Sequence, residues 1–392
     1  LIKITVVYFC LIFVCIISSF LKKNQVDNIA YRYILLGVII FVISSGYMCG
    51  TDWRNYELMY EEFGKEASFE VTDWTLEPFY VLLNKIFNRL NVDFWMFFIF
   101  IKLCVSIILF KSLRQICPTD KFYLSLLSFL SFFGFFMLID NPMRNVIAVA
   151  ITLTAMPYLY KGKIINYLFI VFIAFLFHYS AIFMLLIYPI VRSSISNKKW
   201  FFVYIFVNVI FVKPDILFQI ADFVLVPFPF LSWKVDSYMD QLDTVAKGKL
   251  FSLGLLVHLV FFILILNSRK VIEMIPNGKY IFNLAVLFPI VFRMGLTSLV
   301  FSRFQLYLSL FYVVAISCTV SLFDIKSRIF YKIYVITISV CSCYQIVTSD
   351  YRYIPYTNYF VEKMFGKEYL YDERSNYNKI YSPYKDKIVF EK

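Results

Sequence analysis

Apolar residues run along this chain in stretches of about 15 to 20, separated by short clusters of charge. That is the length a helix needs to cross roughly 30 Å of hydrocarbon. The strand-length alternation of a membrane barrel is absent. The pattern predicts an all-α fold, a polytopic integral membrane helical bundle. Spans are expected at residues 4–20, 33–48, 94–110, 122–139, 146–160, 200–212, 251–266, 280–296, 304–323 and 333–347. The first of these is followed by no small-residue cleavage site, so it is expected to be a retained span rather than a signal peptide.

Two stretches depart from the pattern. Residues 78–90 are apolar on one face but too short to span, and Asn84, Lys85, Asn88 and Arg89 interrupt them, which predicts a re-entrant or interfacial helix. Residues 164–191 have bases at both flanks, and His178, Tyr179 and Ser180 at the middle. Two short helices meeting at that histidine satisfy both flanks, provided the break faces protein or a wet cavity. The total comes to about 10–12 transmembrane helices, counting the partial ones.

Charge fixes the expected orientation. Basic clusters at Lys22/Lys23/Arg32, Lys111/Arg114/Lys121, Lys161/Lys163, Arg269/Lys270 and Lys326/Arg328 belong on the cytoplasmic side. The segment 49–77 carries eight acids against two bases, a net charge of −6, and belongs on the other side. A second outer loop is expected at 213–249, with Pro227, Pro229 and Trp233. Residues 1–347 form the transmembrane domain, and the polar, tyrosine-rich tail 348–392 falls outside by parity, as an aromatic belt or a sugar-stacking lid. No 20-to-50-residue repeat and no Gly/Ser linker divides the chain.

Composition agrees: 61% of the 392 residues are apolar, 21% aromatic and 16% charged. The net charge of +12 lies between spans, which marks topology and argues against nucleic acid. Six of the eight cysteines sit in apolar runs, so neither a disulfide framework nor a metal site is expected, and no cofactor.

The polar residues left over converge on one side. Asp52 and Glu77 lie in the first outer loop, Arg144 in the turn 140–145, His178 at the break, and Arg293 and Arg303 around another outer turn. Charge at membrane depth is costly and marks function. Arginine forks beside carboxylates suit a phosphate-bearing ligand, and a lipid-linked pyrophosphate is the natural candidate. Plainer structural roles stand beside all of these but Arg303. Asp52 and Glu77 could cap a turn or helix, Arg144 could pair with Asp140, His178 could be a hydrogen-bonded core histidine, and Arg293 could snorkel. His258, inside an apolar run, is expected to be structural.

Five blocks carry a resemblance: GTDWRNYELMY, WTLEPFYVLLN, NPMRNVIAVAI, AFLFHYSAIFMLL and FSRFQLYLSLF. In this order and spacing the chain resembles the EpsG-type oligosaccharide repeat-unit polymerases, the Wzy class that builds O-antigens, capsules and exopolysaccharides. The resemblance implies a glycosyltransferase-C-like membrane enzyme working on the outer face of the bacterial inner membrane. Its partners would be undecaprenyl-pyrophosphate-linked oligosaccharides as donor and acceptor, and membrane lipids, with a chain-length regulator protein as a further candidate. Asp52, Glu77 and His178 would then be catalytic. Arg144, Arg293 and Arg303, with Trp53 and Tyr56, would bind substrate and pyrophosphate. An O-antigen ligase shares the donor and the arginine logic; a flippase or other transporter would be expected to show internal symmetry, which this chain lacks.

Overall fold

The computed structural model describes residues 2–21, 28–65, 76–140, 142–212, 252–297, 299–349 and 351–366. The expected loop 213–249, residues 66–75 of the first loop, the bases Lys22 and Lys23 and the tail beyond residue 366 lie outside the described residues. Every run expected to span carries a helix, and the described residues form an all-α membrane bundle. Three helices, Phe94–Ile116, Phe301–Leu322 and Ile325–Thr348, are long and apolar enough to cross a membrane by length and composition, and five shorter apolar helices accompany them.

The chain divides into two units, Leu1–Tyr179 with Ile325–Lys392, and Ser180–Asp324. In the first, α1 (Ile2–Ser19) and α2 (Ile29–Ser44) precede the polar segment. Asn28 starts α2 by accepting the Tyr31 N–H at 3.1 Å. The stretch expected as a loop contains a helix, α3 (Trp53–Lys65). Its apolar positions explain it: Trp53, Tyr56, Tyr60 and Phe63 recur at helical spacing and are buried, while Arg54, Glu61 and Glu62 are exposed.

The short helix expected after it is α4 (Pro78–Arg89), with Pro78 in the first turn, where a missing N–H costs nothing. Its polar residues do not all face outward: Asn84 and Lys85 are buried and Arg89 exposed. The helices α3 and α4 pack closely at Gly64, where a Cβ would lie 2.6 Å from the Asn88 side-chain oxygen. Asn88 Nδ2 donates to the Tyr60 carbonyl there at 2.9 Å.

Asp93 caps α5 (Phe94–Ile116) by accepting the Met96 N–H at 3.1 Å. The next span starts as α6 (Phe122–Phe129) and continues as wider π turns at Leu130–Gly134 and Phe136–Asp140. It delivers the turn into α7 (Met143–Tyr160), which packs along α8 (Ile164–Phe177). The helix α8 stops at His178, whose backbone is extended. The break expected at that histidine is present.

The second unit opens with a 3-10 turn and the short helices α9 (Ile182–Leu186) and α10 (Tyr188–Arg192), followed by α11 (Asn197–Ile210), α12 (Leu253–Asn267) and α13 (Arg269–Glu273). These pack around α14 (Gly278–Gly295), buried on almost every side, and α14 lies against α15 (Leu299–Cys318). Side chains satisfy the carbonyls freed between the short helices. Asn283 donates to the carbonyls of Val191 at 2.8 Å and Ser193 at 3.1 Å, and Lys279 to that of Arg192 at 2.8 Å. His258 is buried in aromatic rings and bonds Tyr312 through Nδ1 at 2.7 Å, the structural place expected of it.

The chain returns to the first unit with α16 (Ile325–Ser349), packed on α1, and a final short helix α17 (Tyr359–Met364).

Candidate functional site

In the first unit, three of the eight candidate residues meet around one guanidinium. Arg144 Nη1 donates to Glu77 Oε2 at 2.5 Å. The Glu77 side chain is 2% exposed and that of Arg144 is 24% exposed. Tyr56, from α3, hydrogen-bonds the same guanidinium, and the ring of Tyr80 lies beneath it, 5.8 Å from the guanidinium carbon. Tyr56 and Tyr80 meet edge to face at 5.8 Å. Burial pushes the Tyr80 hydroxyl well above its ordinary value, so it stays protonated.

Local chemistry explains how each arrives. Glu77 occupies the cap position of α4, where its carbonyl accepts the N–H groups of Tyr80 and Val81. Its carboxylate makes no capping bond. That excludes the capping alternative, because the side chain is spent on Arg144 instead. Arg144 sits in the first turn of α7, just after Pro142. The alternative pairing with Asp140 rests on a side chain outside the described residues.

Asp52 is half-buried just before α3, where its carbonyl accepts the Tyr56 N–H at 3.3 Å and Thr51 Oγ1 donates to its carboxylate at 3.2 Å. It thus stands one helical turn from the tyrosine that touches Arg144. Gly50 has φ +89°, a conformation suited to glycine, and Met48 has φ +50°. Trp53 is 5% exposed and packs on Trp95 with ring centres 5.2 Å apart. His178 is half-buried, its N–H on the Ala174 carbonyl at 3.0 Å.

Arg293 and Arg303 belong to the second unit. Arg293 is 3% exposed near the end of α14, and its Nη2 donates to the Phe211 carbonyl at 2.8 Å. No ion pair forms on it among the described residues, and its Nε has no hydrogen-bond partner there. A buried arginine so placed is suited to an anion. Arg303 lies half-buried in the first turns of α15.

Three features went unforeseen. Tyr80 sits in the run 78–90, where nothing in the pattern sets it apart from its aromatic neighbour Phe79. Glu57, one of eight acids in its segment, is drawn out by its surroundings: burial first, then nearby Glu61, push its carboxyl up to about 7 against a hydrogen bond from Trp95. Lys102, in the middle of α5, is 1% exposed and has no hydrogen-bond partner among the described residues; the Phe98 ring lies 5.1 Å away. A charge inside a span is a signal that sequence alone offers.

No group of three or more His, Cys, Asp or Glu among the described residues could hold a metal ion. No curated protein and no solved structure matches the chain. A family model, described as the EpsG family, matches residues 29–358 and so takes in the acidic turn, the Glu77–Arg144 pair, the break at His178 and both arginines of the second unit. The chain therefore belongs to the EpsG family, whose members are membrane proteins of polysaccharide biosynthesis with a polymerase-type function.

Proposed function

We propose that this protein joins oligosaccharide repeat units carried on undecaprenyl pyrophosphate, working on the outer face of the bacterial inner membrane. The donor is a growing glycan on the lipid pyrophosphate, and the acceptor is a hydroxyl of a single lipid-linked repeat unit. The bond from the anomeric carbon to the pyrophosphate oxygen breaks, and a bond from that carbon to the acceptor oxygen forms. The pyrophosphate keeps the electron pair, and the acceptor proton passes to a base. The pyrophosphate already activates the donor, so no nucleotide sugar is needed.

The observation that carries this reading is the Glu77–Arg144 pair bracketed by Tyr56 and Tyr80. A guanidinium held in fixed orientation at the start of a helix suits the leaving pyrophosphate, where charge builds in the transition state. Glu77 orients it. Asp52, one turn from Tyr56, is the proposed base for the acceptor hydroxyl, with His178 as a further candidate. Arg293, buried without an ion-pair partner among the described residues, and Arg303 are each proposed as anion contacts in their own right. Trp53, packed on Trp95, would act by shaping the turn.

The test is reconstitution. Purified protein given undecaprenyl-pyrophosphate-linked repeat units, without nucleotide sugars, is expected to produce a ladder of longer glycans still on the lipid pyrophosphate. Transfer of single units to a lipid A acceptor without any ladder would make it a ligase and overturn the proposal.

A further inference from the structure

Residues 352–359 fold back against residues 45–50, more than 300 positions away in sequence, and bond them in antiparallel fashion. The Tyr359 N–H reaches the Ser45 carbonyl at 2.8 Å, Gly46 bridges Asn358, and the Tyr47 N–H reaches the Thr357 carbonyl at 2.9 Å. The Thr357 hydroxyl returns a bond to the Tyr47 carbonyl at 2.5 Å, closing a ring of two bonds. Further along, the Thr357 N–H points at Cys49 Sγ at 3.4 Å, and the Gly50 N–H reaches the Arg352 carbonyl at 3.0 Å. The returning segment is itself anchored: Tyr8 donates to the Tyr353 carbonyl at 2.7 Å and Tyr356 to that of Val42 at 2.6 Å.

Met48, between the bonded positions, and Gly50, the last of them, both have positive φ. Methionine rarely adopts that conformation, and a non-glycine residue stays there only where its surroundings over-determine it. Here the surroundings include the returning segment, beside Trp95 and Ile139 from other helices. Two residues after Gly50 comes Asp52. The family match also runs on past α16 to residue 358, within the segment.

We propose that residues 352–359 are a strap that sets the position of the Gly50–Thr51–Asp52 turn, with Thr357 as the positioning residue. This rests on the proposed role of Asp52 at the acceptor hydroxyl. Thr357 touches no reacting atom; its hydroxyl holds Tyr47, and through it the backbone that aims Asp52. Misplacing a reacting group by about 1 Å can lower a rate by about 10²-fold.

The experiment compares the full-length wild type with Thr357→Val, Thr357→Ser and Asp52→Asn in detergent. Turnover is measured on undecaprenyl-pyrophosphate-linked repeat units isolated from a strain lacking this protein, and amide hydrogen exchange on peptides covering residues 45–52. Valine keeps the shape of threonine and deletes only the hydroxyl; serine keeps the hydroxyl. Thr357→Val is expected to lower kcat by about 10- to 100-fold with KM within about twofold, and to speed exchange at residues 45–52. Thr357→Ser is expected to restore both. Wild-type kcat and exchange in Thr357→Val, or equal losses in the serine and valine variants, would overturn the strap. If Asp52→Asn turns over as fast as wild type, the assignment of Asp52 fails instead, and exchange decides the strap alone: unchanged protection in Thr357→Val refutes it, faster exchange reversed by serine upholds it.

Discussion

Removing both charges of the Glu77–Arg144 pair should cost clearly less than the sum of removing each alone. The two groups are 2.5 Å apart, one 2% exposed and the other 24%. At an effective dielectric of about 20, such a contact is worth about 7 kcal/mol of attraction before desolvation is subtracted. Glu77→Gln leaves a guanidinium with little access to water, and Arg144→Met leaves a buried carboxylate; each should destabilise by about 3–5 kcal/mol. The double variant leaves neither charge stranded, so its cost should fall short of the sum by about 2–3 kcal/mol. Equilibrium unfolding in mixed detergent micelles measures all four corners of the cycle. Costs that add to within about 0.5 kcal/mol would refute the reasoning, because that is how independent sites behave. Polymerisation by the same proteins separates fold from chemistry. The double variant should be less destabilised than the two single losses predict and remain inactive, and a double variant that polymerises would reduce the pair to scaffold.

Asp52→Asn keeps shape and an accepting oxygen, so it should accumulate in the membrane normally while chain elongation drops by about 10²- to 10⁴-fold, seen on a gel as single repeat units; long chains from it would leave Asp52 a turn residue. Glu57 has a folded-state pKa of about 7, above its ordinary 4.5, so the folded state holds the proton more tightly. Its contribution is therefore most favourable below about pH 4.5 and declines as pH rises to about 7. Glu57→Gln should flatten that part of the melting-temperature profile, and an identical wild-type profile would refute it. Reporters fused after Lys65 should read outside, and those after Arg114, Lys199 or Arg269 cytoplasm, because acidic and basic segments sort that way; a cytoplasmic signal at Lys65 would sink the proposed orientation.

What the sequence made legible follows from what membranes demand. A helix in hydrocarbon must be apolar wherever it meets lipid, so the spans stand out, as does the break at His178, where polar residues interrupt a run. Arg144 and Glu77 were legible as costly charges, but their pairing was not, because it joins residues 67 apart through the approach of α4 and α7. Trp53 and Tyr56 share the polar segment yet differ in surroundings, one against Trp95 and the other against Arg144 and Tyr80, and only packing separates them. Lys102 is a single charged residue among apolar neighbours, and its burial depends on the packing of α5. The strap had no local signal: Thr357 and Asn358 look like the start of a polar tail until the chain is folded.

The bonds between residues 45–50 and 352–359 also impose an order in time. The turn is made first, and its partner is made some 310 residues later. At about 5–20 residues per second, that interval is about 15 to 60 s of synthesis. Until residues 352–359 emerge, Met48 lacks the hydrogen-bonded segment beside it, so the turn enters the membrane without that part of its support. Completion of this turn therefore waits on a segment made far downstream of it.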